Sequence, residues 1–307
     1  MRQRDDAMRI VTRPDFDGIV CAVLLFEAEN ITEPTLWVEP SDMQTGQVEI
    51  RSTDIVANLP FDPACALWFD HHYSNRVDIP FEGDFQMAPS AAGIIHNYYR
   101  GRIKGNYQEL VAQTDRIDSA DLTPDEVRHP EDHPYVLLSM TVGGGEESEA
   151  PYWNRLVQLL RRYPVDPVLK DPEVADRCRS VVEQNRAYAR VLRSHTRMVG
   201  HVSVTDFRDL GRTPAGNRFL VYSMFPEATV SVKIRYDNRD RNLIAVSVGH
   251  NIFNPGCRVN AGLLLAGFEG GGHRGAASCR FDKDKADAYI PAILDALLKN
   301  VSNEADG

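Results

Sequence analysis

At 307 residues, with 43% apolar and 25% charged side chains, the chain has the make-up of a globular protein of about two domains. No apolar stretch approaches the roughly 20 residues needed to cross a bilayer, and Met1 to Arg9 lacks the hydrophobic core of a signal peptide, so no membrane partner and a cytoplasmic location are expected. A net charge of −10 with no Lys/Arg-rich run argues against an extended duplex nucleic-acid footprint and suits a short anionic ligand held in a local pocket.

Short apolar runs alternate with helical patterns in the first half, as a parallel α/β sheet requires. Arg9 to Thr12 reads as a first strand, followed by the loop Arg13-Pro14-Asp15-Phe16-Asp17 and a buried helix from Gly18 to Glu29. Strands are expected at Thr35 to Val38, Val48 to Asp54 and Ala66 to Phe69. Helices are expected at Ser90 to Tyr99, at Tyr107 to Thr114 and from Trp153 to Arg162, with Gly143-Gly144-Gly145 as a loop. A long helical pattern without internal Gly or Pro, from about Pro172 to Arg197, reads as a connector. Beyond it come alternating or β-branched runs: His201 to Phe207, Arg218 to Ser223, Thr229 to Tyr236 and Leu243 to Gly249. A helix at Asn260 to Phe268, a glycine-rich turn, a strand from Ala276 to Phe281 and a helix from Lys283 to Asn300 close the chain. The expected architecture is an α/β, parallel-sheet N-terminal domain (1–171), a connector helix (172–197) and a smaller α+β C-terminal domain (198–307), with the active site in the cleft. Five scattered cysteines without a CxxC pair argue against a disulfide framework or a cysteine zinc site.

Asp70-His71-His72 follows the apolar run Ala66 to Phe69, so a carboxylate and two imidazoles stand at a strand's C-terminal end, where open α/β sheets place their ligands. Imidazole with carboxylate suits manganese, zinc or iron. Asp15 and Asp17 can turn alternate carboxylates towards one ion, although Asp17 also reads as a helix N-cap. Asp54, at the end of its expected strand, is a candidate to bridge two metals. Asp115 and Asp118 lie at a helix C-terminus, where acids oppose the helix dipole at a small cost that a cation offsets. Gly270-Gly271-Gly272-His273-Arg274 can converge backbone N–H groups and charge-assisted donors on a phosphate. His250 and Arg258 are further candidates to reach the same ligand.

Together, Asp15-Phe16-Asp17-Gly18, Asp54, Asp70-His71-His72 and Asp115, followed by Gly270 to His273, resemble the DHH phosphoesterase superfamily with its DHH-associated C-terminal domain. Length and layout are most similar to the branch of bacterial oligoribonucleases, phosphoadenosine-phosphate phosphatases and exopolyphosphatase-related proteins. The resemblance implies a dinuclear manganese site, with magnesium or cobalt as substitutes. Its ligands would be Asp15, Asp17, Asp54, His71 and Asp115, with Asp54 bridging. Asp70, His71, His72 and Asp54 would carry catalysis. Gly270, Gly271, Gly272, His273, Arg274, Arg258 and the substrate-facing His72 would hold a short RNA or small nucleotide phosphate, hydrolysed by a metal-activated water. Cyclic dinucleotides and polyphosphate present the same chemistry, and a homodimer is one option for assembly. The chain departs from the family pattern where a histidine is expected four positions ahead of the first aspartate. Val11 stands there, and Arg13 is the nearer loop residue, which leaves one metal site without its imidazole and raises the alternative of a catalytically impaired nucleotide-binding regulator.

Overall fold

The computed structural model describes residues 7–143, 147–238 and 240–304. In chain order the elements are β1 (Arg9–Thr12), α1 (Phe16–Ala28), β2 (Leu36–Trp37), α2 (Pro40–Gln44), β3 (Asp54–Ala57), β4 (Leu67–Asp70), β5 (Gly83–Phe85), α3 (Ala91–Tyr98), α4 (Gln108–Asp118), α5 (Pro124–Arg128), α6 (Pro134–Ser139), α7 (Ala150–Leu160), α8 (Val165–Val168) and α9 (Pro172–His195). They continue with β6 (Thr196–Val199), β7 (Val202–Asp206), α10 (Leu220–Met224), β8 (Val230–Tyr236), β9 (Leu243–His250), α11 (Ala261–Ala266), β10 (Gly270–His273), β11 (Ala276–Asp282) and α12 (Ala286–Lys299). The chain divides into two compact units, the first Met1–Leu122 with Glu131–Val181, the second Thr123–Pro130 with Val182–Gly307.

The first unit is built on a five-stranded parallel sheet in the order β2-β1-β3-β4-β5. Every residue of β1, β3 and β4 is buried, as central parallel strands covered on both faces must be. That is why they read as continuous apolar runs rather than alternating ones. Helix α1 is buried on almost all sides and packs against α3, α4 and α7. Gly18 allows its first turn to close, because a Cβ there would lie 1.9 Å from the Arg13 carbonyl oxygen. The second unit carries a mixed six-stranded sheet, β10-β11-β9-β8-β7-β6, in which only β7 and β8 run parallel. Its core joins inward valines of β7, β8 and β9 to Leu265, Ile293 and Leu297. Among the described residues, no helix is long and apolar enough to cross a membrane.

Four local expectations are corrected. The strand expected at Val48 to Asp54 begins at Asp54 and runs to Ala57, because the buried apolar run is Ile55-Val56-Ala57. Helix α4 continues to Asp118, so Asp115 lies inside its last turn instead of following it. Leu220–Met224 is a short helix, not a strand. The glycine-rich segment Gly270–His273 is itself a strand, paired with β11 from Gly270↔Cys279 to His273↔Ala276. Of the expected glycine loop at 143–145, Gly144 and Gly145 lie outside the described residues.

Candidate active site

The C-terminal ends of β1, β3 and β4 lie side by side, since the three strands are parallel and in register. The loop after β1 carries Arg13 and Asp15, Asp17 follows in the first turn of α1, the residue after β3 is Asn58, and β4 ends at Asp70 with His71 and His72 directly after it.

Asp15 is the N-cap of α1. Its Oδ1 accepts from the Gly18 amide at 2.8 Å and from the Asn58 Nδ2 at 2.9 Å. The Arg13 Nε stands 3.3 Å from its Oδ2. Burial pushes the Asp15 carboxyl up to about 6, against the downward pull of Arg13. Asn58 sits at a left-handed φ of 56°, a conformation asparagine tolerates better than most residues.

Asp17, in the first turn of α1, is fully buried. It accepts from the amides of Ala91 and Ala92, both at 2.9 Å, at the N-terminus of α3. A helix N-terminus is a favourable place for a carboxylate. Burial and the charges of Asp118 and Asp15 nevertheless drive the Asp17 carboxyl well above its ordinary range.

The His71 Nδ1–H donates to the Ala88 carbonyl at 3.0 Å. A carbonyl only accepts, so Nδ1 carries the hydrogen and the neutral ring has its lone pair on Nε2. The side chain is 10% exposed, and Nε2 is buried without a hydrogen-bond partner. It lies 3.3 Å from Asp118 Oδ2 and 3.9 Å from Asp17 Oδ2. A ring nitrogen facing two carboxylates in a buried site calls for positive charge among them, which a divalent ion supplies. The three donor atoms lie within 4.8 Å of one another, and imidazole plus two carboxylates suits manganese-like ions. The donor set therefore fits one divalent ion.

Asp70 is fully buried and is taken up in orienting its neighbour. Its Oδ1 meets His72 Nδ1 at 2.8 Å and its Oδ2 accepts from Asn75 Nδ2 at 2.7 Å. This hydrogen bond, ahead of the opposing cost of burial, raises the His72 pKa. His72 thus presents Nε2 as a donor when charged.

Two expected ligands are placed elsewhere. Asp54 opens β3, pairs across with Arg9 and lies at the opposite end of the sheet from these residues. Arg9 Nε and Nη2 donate to its two oxygens at 2.9 and 2.6 Å, and the Arg51 amide adds a third bond at 2.8 Å. The bridging role expected of Asp54 is corrected on that ground; at the site end of β3 stands Asn58. Asp115 accepts from the Ser90 hydroxyl at 2.6 Å, and Ser90 in turn caps α3 through the Gly93 amide. Asp118, one turn further along α4, is the carboxylate that reaches His71. Sequence reasoning missed Asn58 because the strand was set too early. The signal was present: it follows Ile55-Val56-Ala57 and precedes Leu59-Pro60.

The other anion-binding candidates lie in the second unit. Alternate backbone N–H groups of Gly270 to His273 are spent on the ladder with β11, so the segment is an edge strand and not a free nest. Gly272, at φ +147°, is needed there, since a Cβ would come 2.6 Å from the Ala276 carbonyl. His273 and Arg258 are exposed, Arg274 is paired with Glu304, and His250 Nε2 is bonded to the Val259 carbonyl. Beside the glycines is a pocket of about 390 Å³ whose lining includes Arg218, Tyr222, Ser231, Lys233, Ser247 and Gly271. Burial, then the charge of Arg235, lowers the Lys233 pKa, and among the described residues no carboxylate is paired with it. A half-buried cation surrounded by hydroxyls suits an anionic group.

Fold and site together define an α/β protein with a carboxylate–imidazole centre at the C-terminal edge of a parallel sheet. No family model and no curated protein matches the sequence. Among solved structures, the pGpG-specific phosphodiesterase PggH from Vibrio cholerae is 29% identical, with 96% of this chain and 100% of that one covered and a TM-score of 0.85. RecJ from Thermus thermophilus in complex with Mn2+ shares the fold at 14% identity and a TM-score of 0.57. The match covers 95% of this chain but 52% of that one, so the chain spans about half the length of that RecJ. An exonuclease RecJ bound to manganese matches at 13% identity and a TM-score of 0.51, over 93% of this chain and 89% of that one. The fold is the one shared by DHH-domain proteins.

Proposed function

We propose that this chain hydrolyses a phosphodiester in a short ribonucleotide, with a 5′-phosphorylated dinucleotide of the pGpG type as the first substrate to try. The hydrolysis would depend on a divalent ion, manganese first, with magnesium or cobalt as substitutes. The observation that carries this reading is the His71 Nε2 lone pair, buried and unpartnered between Asp17 and Asp118. The likeness to a dinucleotide phosphodiesterase over both full lengths supports a small nucleotide over a polymer. So does the acidic balance of the chain, since long single strands favour extended basic grooves.

Asp17, His71 and Asp118 would hold the ion. Bound there, it supplies positive charge to a phosphoryl oxygen and makes a water more acidic. His72, whose charged form is favoured by its bond to Asp70, would donate a proton towards the departing oxygen. Arg13 stands beside the centre with a guanidinium suited to a phosphate oxygen. Within the second unit, Lys233 and Arg218 would offer positive charge to an anionic group.

The test is incubation of the full chain with manganese and pGpG, following GMP by chromatography. Release that stops on chelation and in Asp118→Asn supports the reading. A folded, metal-loaded protein that releases nothing from pGpG or other short diribonucleotides overturns it. A second reading, a nucleotide-binding regulator without turnover, is favoured by one observation: Arg13 and Asn58 already occupy Asp15. It requires pGpG to bind with no product at any metal.

A further inference from the structure

A two-ion phosphoesterase centre needs a carboxylate free to be shared and donors on its far side. Asp15 is the carboxylate on that side here, and its oxygens are already engaged. Oδ1 accepts from the Gly18 amide and the Asn58 amide; Oδ2 faces the Arg13 guanidinium. Arginine does not lose its proton in proteins, so the charge beside Asp15 is permanent. Asn58 directs the NH₂ end of its side chain at Asp15, where a second ion would need an oxygen donor. Val11, where the resemblance calls for a histidine, is fully buried in β1 and packs with Val38, Val56 and Trp68. Arg13 and Val11 supply a second ion with no ligand, and Asn58 offers only its neutral amide Oδ1, buried and without a hydrogen-bond partner. The Asp17–His71–Asp118 group has what the Asp15 side lacks: two carboxylates and an imidazole nitrogen whose lone pair has no other partner.

We propose that this centre takes a single divalent ion, on Asp17, His71 and Asp118, and that Arg13 with Asn58 stands at Asp15 in place of a second. This rests on the metal-dependent reading above and sharpens it. One dication and one guanidinium bring three positive charges to Asp15, Asp17 and Asp118, with Glu39 also 3.8 Å from the Arg13 Nε. The Arg13 side chain is 38% exposed, so its remaining N–H groups stay accessible to a phosphate oxygen.

The experiment is equilibrium dialysis of the full chain against manganese, with bound metal counted by mass spectrometry and the ion's environment read by electron paramagnetic resonance. The expected result is one manganese per chain, with the spectrum of an isolated ion. Asp118→Asn loses that ion, and Asp15→Asn keeps it. The double variant Arg13→His, Asn58→Asp takes up a second ion and shows exchange coupling between the two. Wild-type protein with two exchange-coupled ions overturns the proposal, as does loss of the ion in Asp15→Asn or failure to bind manganese at all. Should the double variant not fold, the wild-type count and the Asp15→Asn comparison decide. pGpG hydrolysis measured on the same samples separates the two claims. Two ions with turnover refutes the single-ion centre and spares the phosphodiesterase reading; one ion without turnover on any short diester does the reverse.

Discussion

Replacing Asp54 with alanine is expected to damage the fold and spare the metal centre. In the folded chain Asp54 is fully buried and Arg9 is 11% exposed at its side chain, joined by two short charge-assisted bonds. Removing the carboxylate leaves the guanidinium buried and uncompensated and also strips the Arg51 amide of its acceptor. Breaking one side of a buried pair in this way costs about 3–5 kcal/mol. For a unit of this size, each kcal/mol shifts the melting temperature by roughly 2–4 °C, so a fall of roughly 6–20 °C follows. Thermal unfolding by circular dichroism measures it, and calorimetric manganese titration of the folded protein, below its transition, measures the site. Arg9→Met combined with Asp54→Leu should recover much of the loss, since a well-packed apolar pair avoids the stranded charge. An Asp54→Ala protein as stable as wild type but unable to bind metal would refute the placement of Asp54 and restore it as a ligand.

Three further outcomes follow from the same geometry. Asp118→Asn should weaken manganese binding by more than the ~10–100-fold typical of losing an outer partner, whereas Asp115→Asn, which disturbs only the Ser90 cap, should stay within that range; titration calorimetry of the pair contradicts the assignment if the order is reversed. The His72 pKa is raised by its bond to Asp70, so the stabilising pair is complete below the unfolded value of about 6.5 and is lost as pH rises through the folded one. Turnover should accordingly fall on the alkaline side, and His72→Asn should abolish that limb of the pH–rate profile while lowering the plateau; an unchanged limb assigns it elsewhere. Lys233→Ala should raise KM for the dinucleotide by about 10–100-fold, the worth of a hydrogen bond to a charged group, and leave kcat nearly unchanged; steady-state kinetics that show the loss in kcat alone would exclude a binding role for the pocket.

The alternation of apolar runs with helical periods was enough to predict a parallel sheet followed by a mixed α+β unit, because burial on both faces leaves β1, β3 and β4 no polar positions. Asp70-His71-His72 was legible for the same reason: the buried run ends where the titratable residues begin. What the linear pattern did not determine was register. A strand set a few residues early turns a residue from one end of the sheet into a residue at the other, and that error made Asp54 a ligand and hid Asn58. The choice between Asp115 and Asp118 was equally closed to sequence, since residues three apart share a helix face. Only the packing of α4 against α3 sends one to the Ser90 cap and the other to His71. The roles of Asp70 and Arg13 likewise emerge only in three dimensions. Whether a carboxylate coordinates, orients an imidazole or pairs with a guanidinium depends on which donors lie within about 3 Å of its oxygens, and those donors come from distant parts of the chain.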